Sequence, residues 1–392
     1  MHLQKFMKTQ TNSIPDIPVV CYHSIGPIAN HWNRNFLTLE VPYFEDQVKF
    51  ISKHYDTIFL KEYWEMRSGL KPLNEKALVI TLDDGFLDNW IWAYPIFKKY
   101  NVKATIFVCP EFADASTSPR PNLLDYWNKK VSFEELHQWG YLNWTEMREM
   151  IASGYIDIQS HTMSHTKYFI SDKLIGFHHP GNDCLYPVGN LFPSLKPYHI
   201  SDPSFEKQVP FGYPLFEEIS SVCARIHSIN PVFTKACIDA LKDFDFANYS
   251  FQKAYSLVEN TYQQFKNNNE LIIAVEEEEQ YKKRLEYEIA GSKISLEKNL
   301  DKPIEFLCWP HGDNTQEAHA VAMKAGYLAT TTGSKIDIPQ SIDRIPDRIG
   351  LFKTKDNRFL SLLKAKYKLG TFKHQFPYYQ VSKLYDLLKK AS

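Results

Sequence analysis

Two aspartates stand side by side at the end of an apolar run, in Ala77-Leu78-Val79-Ile80-Thr81-Leu82-Asp83-Asp84-Gly85. Burying two carboxylates there is costly unless they are used or solvated. Neighbouring side chains at a strand end diverge, so one can bind a metal while the other stays a free base. Gly85 permits a tight turn after them. The plainer use of Asp84, or of Asp88 just beyond, is to cap a helix N-terminus. Farther on, His161 and His165 are four residues apart in His161-Thr162-Met163-Ser164-His165. On a helix that spacing puts both imidazoles on one face, where they suit one metal ion. Ser160 and Ser164 can add outer hydrogen bonds. Asp84 with the two histidines makes a two-histidine, one-carboxylate set with open positions. Zinc hydrolases and non-haem iron oxygenases both use such sets. The spare Asp83 favours hydrolysis, because a metal-bound water needs a base beside it.

These residues need a frame that brings them together. Short apolar runs alternate with helical patterns: strands at Val19–Tyr22, Thr57–Leu60, Ala77–Leu82, Ala104–Cys109, Tyr155–Ser160, Ile304–Trp309 and Tyr327–Thr331. Helices are expected at Tyr43–His54, with Phe44, Val48 and Ile51 on one face, and at Trp90–Tyr100, Thr145–Ser153 and Gln316–Ala325. The fold class is therefore α/β, with a parallel sheet or a barrel. Four strands run into polar residues: His23, Asp83-Asp84, His161 and Pro310-His311-Gly312. In parallel barrels the strand C-termini share one rim, so these groups would converge. The rhythm breaks between about 167 and 283, which reads as an insertion capping the rim, while 16–166 and 284–352 form the core. Glu276 to Glu279 reads as a solvated helix face. Within the insertion, Tyr186, Phe211, Tyr213 and Phe216 could stack on sugar rings, and His178-His179 lacks further spaced ligands.

From Phe352 onward the chain holds ten Lys or Arg against two Asp. Residues 353–392 read as a basic helical tail. Its apolar residues, Leu360, Leu363, Leu384, Leu387 and Leu388 among them, suit either packing on the core or peripheral contact with an anionic membrane. The net charge is −1, so nothing global points to nucleic acid. None of the six cysteines forms a C-x-x-C pair, which argues against a disulfide framework or a thiolate metal site. No stretch is long and apolar enough to span a membrane. The first residues lack the apolar run of a secretory signal, so a cytoplasmic location, or one at the inner face of the membrane, is expected.

Taken together, the residues resemble the polysaccharide deacetylase family, which shares the NodB homology domain. Its T-F-D-D-G motif is matched by Thr81 to Gly85 and its H-[ST]-x-x-H motif by His161 to His165. Tyr22-His23-Ser24-Ile25 and Phe306 to Gly312 look most like the branch that holds the poly-N-acetylglucosamine deacetylases. The resemblance implies a distorted (β/α) barrel with a large, mostly helical or irregular insertion. It implies one divalent metal ion, zinc first and Co2+, Ni2+, Mn2+ or Fe2+ as alternatives, held by Asp84, His161 and His165. Asp83 becomes the base for metal-assisted amide hydrolysis. Trp309 and the main-chain amide of His311 fall on the substrate and oxyanion side.

The chain departs from the family pattern at two places. Cys308 stands where many members have an arginine that orients the base, so Arg344 or Arg348 would have to reach in. The late histidine acid is missing, and His23 is the substitute, with His311 as a second candidate. The expected substrate is an N-acetylated sugar in a glycan or glycan precursor. Hydrolysis of a non-sugar C–N bond is one alternative, and an inactive carbohydrate-binding relative is another.

Overall fold

Runs of fully buried residues need cover on both faces, and a parallel sheet wrapped in helices supplies it. The computed structural model describes residues 16–32, 34–182, 184–198, 200–248, 250–333, 341–354 and 356–391. Residues 1–15, with the reading made of them, lie outside the described residues, as do the side chains of Leu387 and Leu388. Eight strands carry the fold: β1 Val19–Tyr22, β2 Ala77–Leu82, β3 Ala104–Val108, β4 Ile156–Ser160, β5 Phe306–Leu307, β6 Ala329–Thr331, β7 Arg344–Ile345 and β8 Ile349–Gly350. They pair in parallel in the order β7-β6-β5-β4-β3-β2-β1-β8. β7 and β8 sit at opposite ends of that path, yet only Pro346, Asp347 and Arg348 separate them in sequence. The sheet therefore curls until its ends nearly meet, which is the expected distorted barrel.

Strand alternation then decides what faces inward. Val19, Ala77, Val79, Phe107, Phe306, Cys308, Ala329 and Ile345 form one inner cluster with Ile58, Leu60 and Tyr63. Their neighbours Val20, Leu78, Ile80, Leu82, Ile106 and Ile158 face the outer layer, where helix Val41–His54 contributes Phe44, Val48 and Ile51. Burying each of those three side chains is worth roughly 1.5–3 kcal/mol. The inward row of β2 runs 77, 79, 81, and its next member is Asp83. The alternation that builds the core thus delivers Asp83 to the barrel mouth.

Several expected boundaries shift. The strand at Thr57–Leu60 is only Asp56–Thr57, and Leu60 opens a helix, Leu60–Arg67. The Glu62 carboxylate accepts the Phe59 N–H at 3.2 Å, capping that helix and ending the strand early. The helix at Trp90–Tyr100 begins as a wide turn, Asn89–Ala93, before Tyr94–Lys99. The strand at Ile304–Trp309 shortens to Phe306–Leu307.

After β4 the chain leaves the sheet. Strand Lys167–Phe177 pairs antiparallel with Pro214–Ser220, and His227–Ile229 with Ile272–Val275. Helices Pro231–Ala240 and Phe251–Asn267 pack on these through Phe177, Phe216, Phe233, Cys237 and Val258, a core separate from the barrel's. Tyr281 and Leu285 already belong to the main core. The glutamate run starts a helix, with Glu277, Glu278 and Glu279 exposed to solvent as expected. Glu277 caps Glu278–Glu286, Glu278 and Glu279 occupy its first turn, and Glu276 pairs with Arg284. At the C-terminus, helix Arg358–Phe372 buries Ala365 and Leu369 in the main core. Its Arg358 Nη2 lies 2.7 Å from Asp46 Oδ1 on helix Val41–His54. Among the described residues, no helix is long and apolar enough to cross a membrane.

Candidate active site

The turn after β2 separates the two aspartates. Asp84 (φ 72°) and Gly85 (φ 68°) both adopt the left-handed region. A side chain on Gly85 would also bring Cβ within 3.0 Å of Val108, so glycine is required there. For Asp84 that backbone is strained, at a cost of order 1 kcal/mol or more, as is common where geometry serves a site. The twist points the two carboxylates in different directions, as expected of the pair. Asp83 receives both ends of the Arg348 guanidinium, at 2.6 Å to Oδ1 and 2.7 Å to Oδ2. Cys21 Sγ and Cys308 Sγ each lie 3.8 Å from Oδ2, and His23 Nε2 lies 3.7 Å from it. Burial alone would raise the Asp83 carboxyl, but the guanidinium overrides it and holds it at about 2.

Asp84 faces the histidines, with Oδ1 at 3.3 Å from His161 Nε2 and 3.2 Å from His165 Nε2. Burial pushes its carboxyl up, and the two imidazoles pull it well below the ordinary carboxylate value. The histidines do not share a helix. Residues 161–166 form an irregular loop, with Thr162 at φ 65° and His165 at φ 45°. The loop nevertheless brings the two rings within 5.0 Å of each other, centre to centre. The spacing served the site through backbone turns rather than through helical periodicity.

Side-chain braces hold this loop. His161 Nδ1 lies 2.9 Å from Cys308 O, which fixes the ring with Nε2 toward Asp84. Ser164 donates both its N–H, at 3.1 Å, and its hydroxyl to the buried Glu288 carboxylate. Lys196 donates to Ser164 O at 3.4 Å while pairing with Glu111. Ser160 Oγ accepts the Thr162 N–H at 3.3 Å and pairs with Ser292 at 2.7 Å. The cluster fits a divalent metal. One ligand atom from each of Asp84, His161 and His165 lies within 4.8 Å of the others. A carboxylate oxygen and two imidazole nitrogens converging in one place form a donor set that suits a divalent cation.

Residues 70–175, which contain both motifs, match the family model described as polysaccharide deacetylase. That segment is similar to polysaccharide deacetylases. The chain is 31% identical over 157 residues to YxkH of Bacillus subtilis (strain 168), provisionally named a polysaccharide deacetylase. It is 25% identical over 146 residues to the poly-beta-1,6-N-acetyl-D-glucosamine N-deacetylase of Escherichia coli (strain K12). These matches cover 40% and 36% of the chain, and 46% and 20% of the relatives, so the chain spans less than half the length of either. A solved structure described as a de-N-acetylase from Aggregatibacter actinomycetemcomitans superposes over 89% of this chain and 99% of its own, with TM-score 0.50 and 17% identity. That likeness shows the shared fold.

Around the deacetylase motifs lies a cavity of about 660 Å³ lined by His23, Arg34, Trp309, His311, Tyr186 and Phe352 as well as the two aspartates. Arg348 comes from the short segment that joins the two ends of the sheet. Arg344 does not reach the site, because β7 aims its guanidinium at Asn314 Oδ1 (3.3 Å) and Thr330 Oγ1 (3.2 Å). Cys308 therefore lines the base without orienting it, and Arg348 Nη2 lies 3.2 Å from its sulfur. His311 adopts φ 58°, and its Nε2 meets the Tyr186 hydroxyl at 2.9 Å. Burial first, and His165 second, lower its imidazole to about 2. A neutral His311 is poorly suited to deliver a proton, which leaves His23 the better placed of the two candidates. Trp309 is buried against the mouth. Asp88 caps no helix. Its carboxylate takes Ser24 Oγ at 2.5 Å and Asn89 Nδ2 at 2.7 Å.

Of the four insertion aromatics named above, only Tyr186 lines this cavity. Phe216 is fully buried in the insertion's core, Phe211 packs on His178, and Tyr213 lines a different cavity. His178 and His179 turn their ring nitrogens to Asn182 and Pro180 O. Glu288 and Lys196 escaped the sequence reading. Their partner Ser164 is 124 and 32 residues away, and no local pattern marks them.

Proposed function

We propose that this protein is a metal-dependent N-deacetylase acting on N-acetylated sugars of a glycan or glycan precursor. One observation carries the reading: an ionised Asp83, locked by Arg348, stands beside the three-donor cluster of Asp84, His161 and His165. A divalent ion held by those three, Zn2+ by preference with Co2+, Ni2+, Mn2+ or Fe2+ also suited to the donors, supplies Lewis acidity toward water and an acetamide carbonyl. The chain's own groups divide the remaining work. Asp83 accepts a proton from the attacking water, and the two-point grip of Arg348 keeps its carboxylate in one orientation. We assign proton delivery to the departing amine to His23, which sits against Asp83 at the cavity wall. The main-chain N–H of His311, in its left-handed turn, is our donor to the oxyanion, and Trp309 walls the sugar. Residues 167–283 we read as a cap on the rim, a view supported by Tyr186 reaching into the cavity.

The Escherichia coli relative is named for poly-beta-1,6-N-acetyl-D-glucosamine, and a chain of N-acetylglucosamine is the substrate class we assign. Peripheral contact with an anionic membrane is our reading of the tail. The exposed Phe359, Leu363, Phe376 and Leu384 interspersed with lysines support it. The test of function is acetate release from a panel of N-acetylated sugars. Metal-loaded protein should release acetate and chelated protein should not. Turnover that survives complete metal removal would sink the metal's role. Release only from a non-sugar amide would sink the substrate class.

A further inference from the structure

The geometry points to a second metal site, formed by Cys21, His23 and Asp83, which takes a further thiophilic divalent ion such as Zn2+ and silences the base. The inference deepens the reading above and rests on it only for the inhibition. Strands β1 and β2 build the site. They pair in parallel with Cys21 opposite Thr81, so the inward row Val19, Cys21, His23 runs beside Val79, Thr81, Asp83. A thiol, an imidazole and a carboxylate therefore meet at one corner of the barrel mouth. All three line the mouth cavity, and the His23 side chain is 24% exposed, so an ion in the cavity meets the whole set. Cys308 approaches the same carboxylate but is fully buried and does not line the cavity.

The spacing is that of ligands around an ion. Cys21 Sγ lies 3.8 Å from Asp83 Oδ2, and His23 Nε2 lies 3.7 Å from it. One donor atom from each of the three residues lies within 4.8 Å of the others. For the imidazole and carboxylate that gap is too long for a hydrogen bond. Two ligands of one tetrahedral ion, at the usual Zn–S, Zn–N and Zn–O lengths, stand about 3.3–3.5 Å apart. Small side-chain shifts therefore close the three donors on an ion. The Asp84 cluster already shows such spacing, at 3.2 and 3.3 Å. Among the described residues no hydrogen bond holds His23 Nδ1, so the ring is not fixed elsewhere.

The donors choose the ion. Sulfur and imidazole together favour Zn2+ and its neighbours over Mg2+ or Ca2+. As the sulfur–metal bond forms, the Cys21 S–H proton passes to solvent, and nothing is oxidised or reduced. Two positive charges oppose entry. One is Arg348, which already bonds both Asp83 oxygens, and the other is an ion held by the adjacent Asp84 cluster. The second ion therefore binds more weakly and enters after the first. Once bound, it takes the lone pairs of Asp83 and His23, the base and the acid of the proposed reaction, so turnover stops.

The test is titration of the chelated full chain with Co2+, whose bond to a thiolate gives an ultraviolet charge-transfer band. Two equivalents should bind, and the band should arrive with the second. Cys21→Ala should abolish the band and the second equivalent while keeping the first, and Cys308→Ala should keep both. Binding by wild-type protein that stops at one equivalent overturns the proposal. A band that survives Cys21→Ala, or that only Cys308→Ala removes, overturns it as well. The activity arm uses Zn2+. Acetate release should be highest near one equivalent and fall at least about 10²-fold in excess, the range lost when a base is silenced. Cys21→Ala, compared with its own rate at one equivalent, should resist the excess, and inhibition that persists in it overturns the role of the site. If the second equivalent binds through Cys21 but wild-type protein releases no acetate at any metal level, the catalytic reading fails and the metal site stands.

Discussion

Asp83 and Asp88 are five residues apart, both fully buried, and opposite in charge behaviour. At the barrel mouth, Arg348 grips Asp83 and holds its carboxyl at about 2. Behind the mouth, burial pushes the Asp88 carboxyl up to about 7, because its partners are Ser24, Asn89 and the Ile25 main chain, none of which carries charge. Burial taxes both carboxylates, and the counter-cation alone decides which one ionises. The barrel mouth therefore holds a ready base. The buttress behind it, which ties β1 and its following loop to the turn after β2, holds a carboxyl that prefers its proton.

The strongest way to break this contrast is to neutralise the mouth. Asp83→Asn should lower kcat by about 10²–10⁴-fold. Metal content, read by elemental analysis, should stay near wild type, because Asp83 is not one of the three donors of the Asp84 cluster. Loss of metal in that variant would mean that the two aspartates do not divide the work. Arg348→Met tests the same contrast from the cation's side. It leaves Asp83 buried without its partner, which typically costs about 3–5 kcal/mol. The Asp83 carboxyl should then rise under burial, and the acid limb of kcat/KM should move to higher pH. Thermal melts and a pH profile read both effects. Arg348→Lys should recover only part of either, since one ammonium cannot replace a two-point grip.

A third change separates the metal half from the base half. Glu288→Ala removes the clamp on Ser164 but touches neither Asp83 nor Arg348. Metal affinity should fall about 10–100-fold, as it does when outer partners of ligands are removed. Titration of chelated protein with Zn2+ measures it. At saturating metal most of kcat should return. A kcat that stays low at saturation would place Glu288 in the chemistry rather than in positioning.

The contrast also explains what the sequence made legible. Asp83, Asp84, His161 and His165 sit at the ends of apolar strands, so the alternation that marks a strand also marks what it delivers. β2 has the expected bounds for the same reason, since six buried residues in a row have few other uses. The base's partner was legible only as a choice between Arg344 and Arg348. Strand alternation within so short a segment could not tell which faced inward, and closure of the sheet decided it. Glu288 and Lys196 were invisible, because each meets Ser164 across a long stretch of sequence that no local pattern spans. The paired histidines mislead in a different way. Their spacing suits a helix, but two left-handed residues in the loop produce the same convergence.

The smallest expected effect is at the buttress. Asp88 has its folded value raised above the ordinary 3.8 to about 7. The folded state thus holds this proton more tightly than the unfolded chain does. Stability from the group is full below about pH 4 and is lost as pH rises through 7. Asp88→Asn keeps an acceptor for Asn89 and the Ile25 main chain but cannot ionise. The variant should be close to wild type below about pH 4 and more stable above pH 7, by on the order of 1–4 kcal/mol, with the gap growing in between. Melting temperature measured across that range decides it. A stability gap that does not change with pH would show that Asp88 is ionised in the fold, with Ser24 and Asn89 sufficient to hold the charge. The mouth and its buttress would then no longer differ in the way that Arg348 requires.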